Sequence, residues 1–216
     1  MKHLMLFTLV SLIVFLACNK NESNSDPVPQ ESVLEYYPLT VGNYWIYEIS
    51  NCDSTWTACN PTSIDSNYVS KDTIINGMKY FKIEGGNFIS NEPLFLRDSL
   101  DYIVDNHGNI KFSNKDFNTK FNEEYVVVDN NDTIYHWYSK MDEVPLIVHV
   151  PSGEYTCLDN KLSFFRIQEN FETEFNGHYA LSKNVGLIYQ NVMFASSTGG
   201  MKRELLRYFI QPPIMP

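Results

Sequence analysis

Apolar and polar positions divide the chain into three stretches. Positions 4–16 are apolar except for Thr8 and Ser11, preceded by Lys2 and His3 and followed by Ala17-Cys18. Positions 19–32 are polar apart from Val28 and two prolines, and offer nothing to bury. From residue 34 onward, short apolar runs alternate with turn residues. Gly42-Asn43 marks a turn, after which Trp45, Tyr47 and Ile49 fall on one face of a strand and Tyr44, Ile46 and Glu48 on the other. A polar loop, 51–60, follows. Runs at 68–69 and 72–75 meet Asn76-Gly77 and continue at 78–84. Asn-Gly between β-rich runs predicts a hairpin, because a type I′ turn needs positive φ at both central residues. Further strands are expected at 94–97, 101–104, 110–112, 125–128, 133–138, 146–150, 155–158 and 162–167, with a closing hairpin at 185–194 and 202–210. A short helix near 171–175 is the one helical expectation. About ten strands joined by turns predict an all-β fold, either an antiparallel, strongly curled sheet (a half-barrel) or a sandwich.

The first stretch has the layout of a secretory signal peptide: a positive end, an apolar core and a small residue before the cut. It is too short for a bilayer core of roughly 30 Å, which needs about 20 residues. A small residue directly before Cys18 resembles the lipobox of bacterial lipoproteins, with Phe15 where the commonest form has Leu and Leu16 beside it. That resemblance implies a diacylglyceryl thioether on Cys18, loss of residues 1–17 and acylation of the new amino terminus. Residues 18–33 then form a lipidated, flexible tether reaching about 20 Å, and 34–212 a single β-rich domain. Asn19 is not the Asp that, by the same resemblance, retains lipoproteins at the inner membrane, so an outer-membrane address is expected, with its face open.

Composition supports strands over helices. The chain has 14 Tyr and 14 Phe against 7 Met, as β structure prefers. Formal charge is −10, and removing Lys2 with the leader takes it to −11. A surface of that sign repels phosphate backbones, so nucleic acid is not an expected partner.

Several blocks recur in a recognisable order: Tyr-Tyr-Pro-Leu-Thr-Val-Gly-Asn-Tyr-Trp-Ile-Tyr (36–47), Val-Pro-Ser-Gly-Glu-Tyr (150–155), Val-Gly-Leu-Ile-Tyr (185–189) and Glu-Leu-Leu-Arg-Tyr (204–208). Together they resemble uncharacterised Bacteroidota envelope lipoproteins. The resemblance implies a curled antiparallel sheet similar to lipoprotein-carrier half-barrels. It brings no catalytic residues.

Candidate chemistry is sparse. Cys52 and Cys59 share one loop of an exported chain and are expected to pair, leaving Cys157 as a small buried hydrophobe. His107, His136, His149 and His178 stand singly, without metal-site spacing, so no metal or cofactor is expected. Asp129-Asn130-Asn131-Asp132 lacks the Gly and distal Glu of a calcium loop and reads as a turn. Glu123, Glu124, Glu169, Glu172 and Glu174 have no reason to pair as a glycosidase would require. Ser152 beside Gly153 lacks the context of a nucleophile. Asp53-Ser54-Thr55, Asp72-Thr73, Asp98-Ser99 and Asp132-Thr133 resemble O-glycosylation acceptors of exported Bacteroidota proteins, which makes Ser54, Thr55, Thr73, Ser99 and Thr133 modification candidates. Among the aromatics, Tyr36, Tyr37, Tyr44, Trp45, Tyr47, Trp56, Trp137 and Tyr138 could stack on sugars, line an apolar groove or simply fill the core. Trp45, Tyr47 and especially Trp56, held between two cysteines, are the ligand-contact candidates. The expected function is a non-enzymatic, membrane-anchored binding or accessory module for a hydrophobic or glycan ligand or an envelope partner. A structural accessory without a small ligand is the first alternative and an envelope hydrolase the last.

Overall fold

Alternating inward side chains and tight turns fold the chain into one continuous antiparallel sheet. The computed structural model describes residues 31–85, 92–128, 132–168, 171–194 and 198–212. The expected signal peptide, Cys18 and the tether through residue 30 lie outside the described residues, as do Glu169 and positions 129–131 of the expected turn. A turn of 3-10 helix, Val33–Glu35, leads into the strands. These are β1 (Tyr44–Cys52), β2 (Cys59–Ile75), β3 (Met78–Glu84), β4 (Leu94–Ser99), β5 (Tyr102–Asp105), β6 (Ile110–Ser113) and β7 (Phe121–Val128). After them come β8 (Asp132–Met141), β9 (Leu146–Val150), β10 (Gly153–Gln168), β11 (Phe171–Ser182), β12 (Gly186–Met193) and β13 (Gly200–Phe209).

The strands lie in the order β6-β5-β4-β3-β2-β1-β13-β12-β11-β10-β8-β7, with β9 beside the first half of β10. Two meanders are thus zipped together by the first and last strands, from Tyr44 opposite Phe209 to Cys52 opposite Gly200. Curling brings the sheet's two ends, β6 and β7, towards each other, and the sheet is nearly closed and barrel-like. The curled-sheet expectation holds, with thirteen strands among the described residues instead of about ten.

Closure at the seam is made by side chains. Asn122 Nδ2 donates to the Ile110 carbonyl at 2.7 Å, and Asn160 Nδ2 donates to the Lys111 carbonyl at 2.9 Å. Edge carbonyls that would otherwise lack partners are thereby taken up.

The core fills the inner face. Trp45, Tyr47, Val69, Ile83, Leu96, Ile103, Phe112, Phe121, Leu181 and Leu205 are all buried. Trp45 Nε1 donates to the Val185 carbonyl at 2.6 Å and the Tyr47 hydroxyl to the Leu187 carbonyl at 3.1 Å, so each buried polar tip has a partner. Burial drives the Tyr47 phenol above its ordinary range. The Asn76-Gly77 hairpin forms as expected, with φ of 50° and 77° and Ile75 opposite Met78.

Three elements differ from the sequence reading. The fold takes in Glu31, Ser32 and Val33: Ser32 caps the 3-10 turn, Val33 is 1% exposed, and Lys183 pairs with Glu31 and Glu35 at 2.7 Å each. Positions 171–175 open strand β11 and form no helix, because β10 supplies a ladder from Gln168 opposite Phe171 to Phe164 opposite Phe175. Finally, 155–158 and 162–167 are one strand. Asp159, Asn160 and Lys161 disfavour strands by composition, yet they continue β10 because their polar groups are used: Asp159 accepts from the Tyr179 N–H at 2.9 Å and pairs with His178 Nδ1 at 2.6 Å.

Candidate binding site

A cavity of 230 Å³ lies where the seam closes. One wall is Leu94 and Leu96 of β4 with Ile110 and Lys111 of β6. The other is Asn122, Ser139, Asn160 and Leu162, from β7, β8 and β10. Tyr37, Tyr179, Gln190 and Arg203 complete it. The walls therefore come from opposite ends of the same sheet, brought together only by its curl.

Its polar groups are unevenly satisfied. The Tyr37 and Tyr179 hydroxyls lie 3.3 Å apart, and burial, followed by the neighbouring Tyr179, pushes the Tyr37 phenol well above its ordinary range, so it stays neutral. Arg203, 4% exposed, sits over the Tyr47 ring at 4.9 Å. Lys111 pairs with Asp105 at 3.0 Å. Asn160 is 7% exposed; its nitrogen latches the seam, while its Oδ1 is buried without a hydrogen-bond partner among the described residues. Gln190 Oε1 is in the same condition. Two buried acceptors lining one cavity call for donors.

The inner face continues beyond the cavity. Along β10, Phe164 and Arg166 follow Asn160 and Leu162 at strand alternation; opposite them stand Trp137 and Tyr135 of β8 on one side and Phe175 of β11 on the other. Their rings are in contact: Tyr135 to Phe164 at 5.3 Å, Trp137 to Phe164 at 6.3 Å and Phe164 to Phe175 at 6.4 Å between centroids. Arg166 lies over Phe175 at 5.6 Å. All five side chains are partly exposed. This aromatic platform begins roughly 7 Å from the cavity wall, two residues along the strand.

No protein-family model matches the sequence, and no curated protein matches it. Among solved structures, the chain is similar to a candidate lipoprotein of Parabacteroides distasonis, with a TM-score of 0.44, 13% identity, 83% of this chain covered and 100% of that one. It is also similar to a candidate exported protein of Bacteroides fragilis with a YmcC-like fold, with a TM-score of 0.42, 9% identity, and 79% and 96% covered. At these scores neither likeness bears on function.

The residues singled out by sequence are scattered around this site. Trp45 and Tyr47, candidates for ligand contact, are 3% and 1% exposed and hydrogen-bonded within the core, so that expectation is corrected: their alternation turns them inward under β12. Cys52 and Cys59 form a disulfide at the tip of the β1–β2 hairpin. Trp56, between them, folds back over β13: a Cβ on Gly200 would fall 2.6 Å from its Cη2. Cys157 is buried, and burial, with Asp159 nearby, pushes its thiol up to about 12, which leaves it unreactive. Ser54 and Thr55 are exposed, Thr73 and Ser99 lie partly buried in β2 and β4, and the Thr133 side chain is outside the described residues.

No group of three or more His, Cys, Asp or Glu among the described residues is placed to hold a metal. Three histidines pair with single carboxylates, His136 with Glu123 at 3.0 Å, His149 with Glu154 at 3.2 Å and His178 with Asp159 at 2.6 Å, while the His107 ring contacts Asn106 at 3.4 Å. Two larger hollows lie elsewhere, one of 380 Å³ beside Lys140, Lys161 and Glu174 and one of 660 Å³ beside Leu39 and Ile210. The seam cavity is smaller, but it alone of these three is lined by the buried acceptors of Asn160 and Gln190.

Sequence reading missed Asn160, Gln190, Phe164 and Phe175 as site residues. One signal was present: an Asp-Asn-Lys interruption at 159–161 between two apolar runs of what is a single strand.

Proposed function

We propose that this chain is a non-enzymatic lipoprotein of the outer membrane, anchored through lipidated Cys18, that binds a small hydrophobic or carbohydrate ligand in the cavity at the seam. The observation that carries the binding role is the buried Asn160 Oδ1, left without a partner on the wall of a 230 Å³ cavity. The Asn160 nitrogen is used at the seam, and the oxygen beside it faces the cavity as an acceptor that a ligand donor would satisfy. The anchoring role is supported by the apolar leader ending in Ala17-Cys18 and the polar segment after it. Two or more acyl chains hold a protein at a membrane where one does so only marginally. Glycosylation of Ser54 or Thr55, both exposed on the hairpin tip, belongs to the same envelope reading; an intact mass equal to that of the lipidated polypeptide ends that part of it.

Anchoring is tested by palmitate labelling: label and membrane association are expected in the wild type and lost in Cys18→Ala. Binding is tested by melting the full chain, in mild detergent, with and without a small-molecule extract of its own envelope. A ligand at 100 times its Kd stabilises by about 2.7 kcal/mol, or about 5–11 °C for a domain of this size. An unchanged melting curve contradicts the binding role and favours an accessory that acts through its surface.

A further inference from the structure

We infer that the ligand of the seam site is a carbohydrate chain, with one sugar ring seated in the cavity and the next laid on the aromatic platform. The inference rests on the reading of the cavity as the binding site and narrows its ligand to one chemical class.

Three observations converge on a sugar. The first is hydrogen bonding. Asn160 Oδ1 and Gln190 Oε1 are acceptors without partners, and the occupant must bring donors to them. Hydroxyl groups do so; an acyl chain brings none and would leave both oxygens buried and unsatisfied.

The second is size. At 230 Å³ the cavity is below the range of about 300–1,000 Å³ that encloses a drug-sized ligand. It accommodates one ring, and the rest of a longer ligand must continue along a surface.

The third is what that surface offers. From Leu162 and Ser139 in the cavity, the same face leads two residues on to Phe164 and Trp137. Partly exposed aromatic faces are stacking platforms. The C–H faces of a sugar ring pack on such rings while its equatorial hydroxyls point to the rim, where Arg166 lies on the same face, as does Glu124, opposite Trp137. A site for an acyl chain would instead be enclosed and apolar throughout.

The test is isothermal titration of the full chain, in mild detergent, with defined probes: hexasaccharides of the α-glucan, β-glucan, mannan, xylan and chitin types, a muramyl disaccharide, and dodecanoate as the apolar comparison. At least one saccharide is expected to bind, with Asn160→Leu and Trp137→Ala each weakening it by about tenfold or more. Trp137→Phe keeps an aromatic face and is expected to retain binding, which separates loss of stacking from loss of fold. Binding of dodecanoate but of no saccharide, abolished by Leu162→Trp, overturns the carbohydrate assignment and leaves the cavity as the binding site. Saccharide binding untouched by Asn160→Leu and Trp137→Ala overturns both, and so does a chain that binds none of the probes.

Discussion

Replacing Asn160 by leucine separates the two jobs assigned to this side chain. In the fold its Nδ2 donates to the Lys111 carbonyl at 2.9 Å, and its Oδ1 is buried with no partner. The lost hydrogen bond is worth about 0.5–1.5 kcal/mol net, and the unsatisfied oxygen costs about 1–3 kcal/mol wherever it has no donor. These terms oppose each other. Because the Lys111 carbonyl also loses its donor, Asn160→Leu is expected to leave the unliganded protein within about 2 kcal/mol of wild type, while ligand binding weakens by about tenfold or more. Asn122→Ala is the contrast. Its Nδ2 also latches the seam, donating to the Ile110 carbonyl at 2.7 Å, but it sits at φ 51°, where Asn is tolerated and Ala is strained. With about 1 kcal/mol for the bond and about 1 kcal/mol for the backbone, this change should cost about 2 kcal/mol. Urea unfolding followed by tryptophan fluorescence measures both, with an unchanged m-value as the check that only stability moved. A loss of more than about 2 kcal/mol for Asn160→Leu would mean that Oδ1 already has a donor in the free protein, and the argument for a ligand there would fail.

Three further predictions follow from the same geometry. Trp45→Phe and Tyr47→Phe strand the Val185 and Leu187 carbonyls and should each destabilise by about 1–3 kcal/mol in thermal denaturation, without a change in ligand affinity, since both side chains belong to the core. Reducing Cys52–Cys59 opens a loop spanning a separation of 7 residues and should cost about 2–3 kcal/mol by the chain-entropy model; equal stability of the oxidised and reduced protein in urea would refute it. Asp116 is held down to about 2 by the Thr119 hydroxyl, the Thr119 and Asn118 N–H groups and the Tyr102 hydroxyl, against the burial that opposes ionisation. A folded pKa below the unfolded one means that its contribution is complete above about pH 4 and is lost as the pH falls towards about 2. Asp116→Asn should flatten that part of the stability profile, and an unaltered profile would show that other carboxylates govern it.

Much of the fold is legible in the sequence, because apolar alternation and turn chemistry act locally. Trp45 and Tyr47 mark the inward face of β1, although a register shift after Ile49 turns Ser50 and Cys52 inward and leaves Ile49 half-buried, and Asn76-Gly77 marks the β2–β3 hairpin without any knowledge of the partner strands. What the sequence hides is pairing that overrides composition. The half of β2 before Asn67 is polar and largely exposed, yet it is a strand because β1 lies beside it from Cys52 opposite Cys59 onward. Asp159-Asn160-Lys161 breaks the apolar pattern of β10 for a different reason: it stands where the curled sheet meets its own other end. The seam joins Ile110 and Lys111 to Asn122 and Asn160, residues whose proximity depends on the full circuit of strands between them. The site was hidden for the same reason. Single aromatics such as Trp137 read equally well as core, and only the register of β8, β10 and β11 shows that Trp137, Phe164 and Phe175 form one platform on the face that holds the cavity.

The claim that the seam cavity is the binding site is tested most directly by blocking it. Leu162 lines the cavity from β10, and Leu162→Trp places an indole into a space of 230 Å³. Native mass spectrometry of the full chain, extracted gently from its own envelope, would be run on the wild type and on this variant, with melting temperatures confirming that both are folded. A non-covalent adduct on the wild type that is missing from Leu162→Trp is the result expected here. The same adduct on both proteins, or on neither, contradicts it.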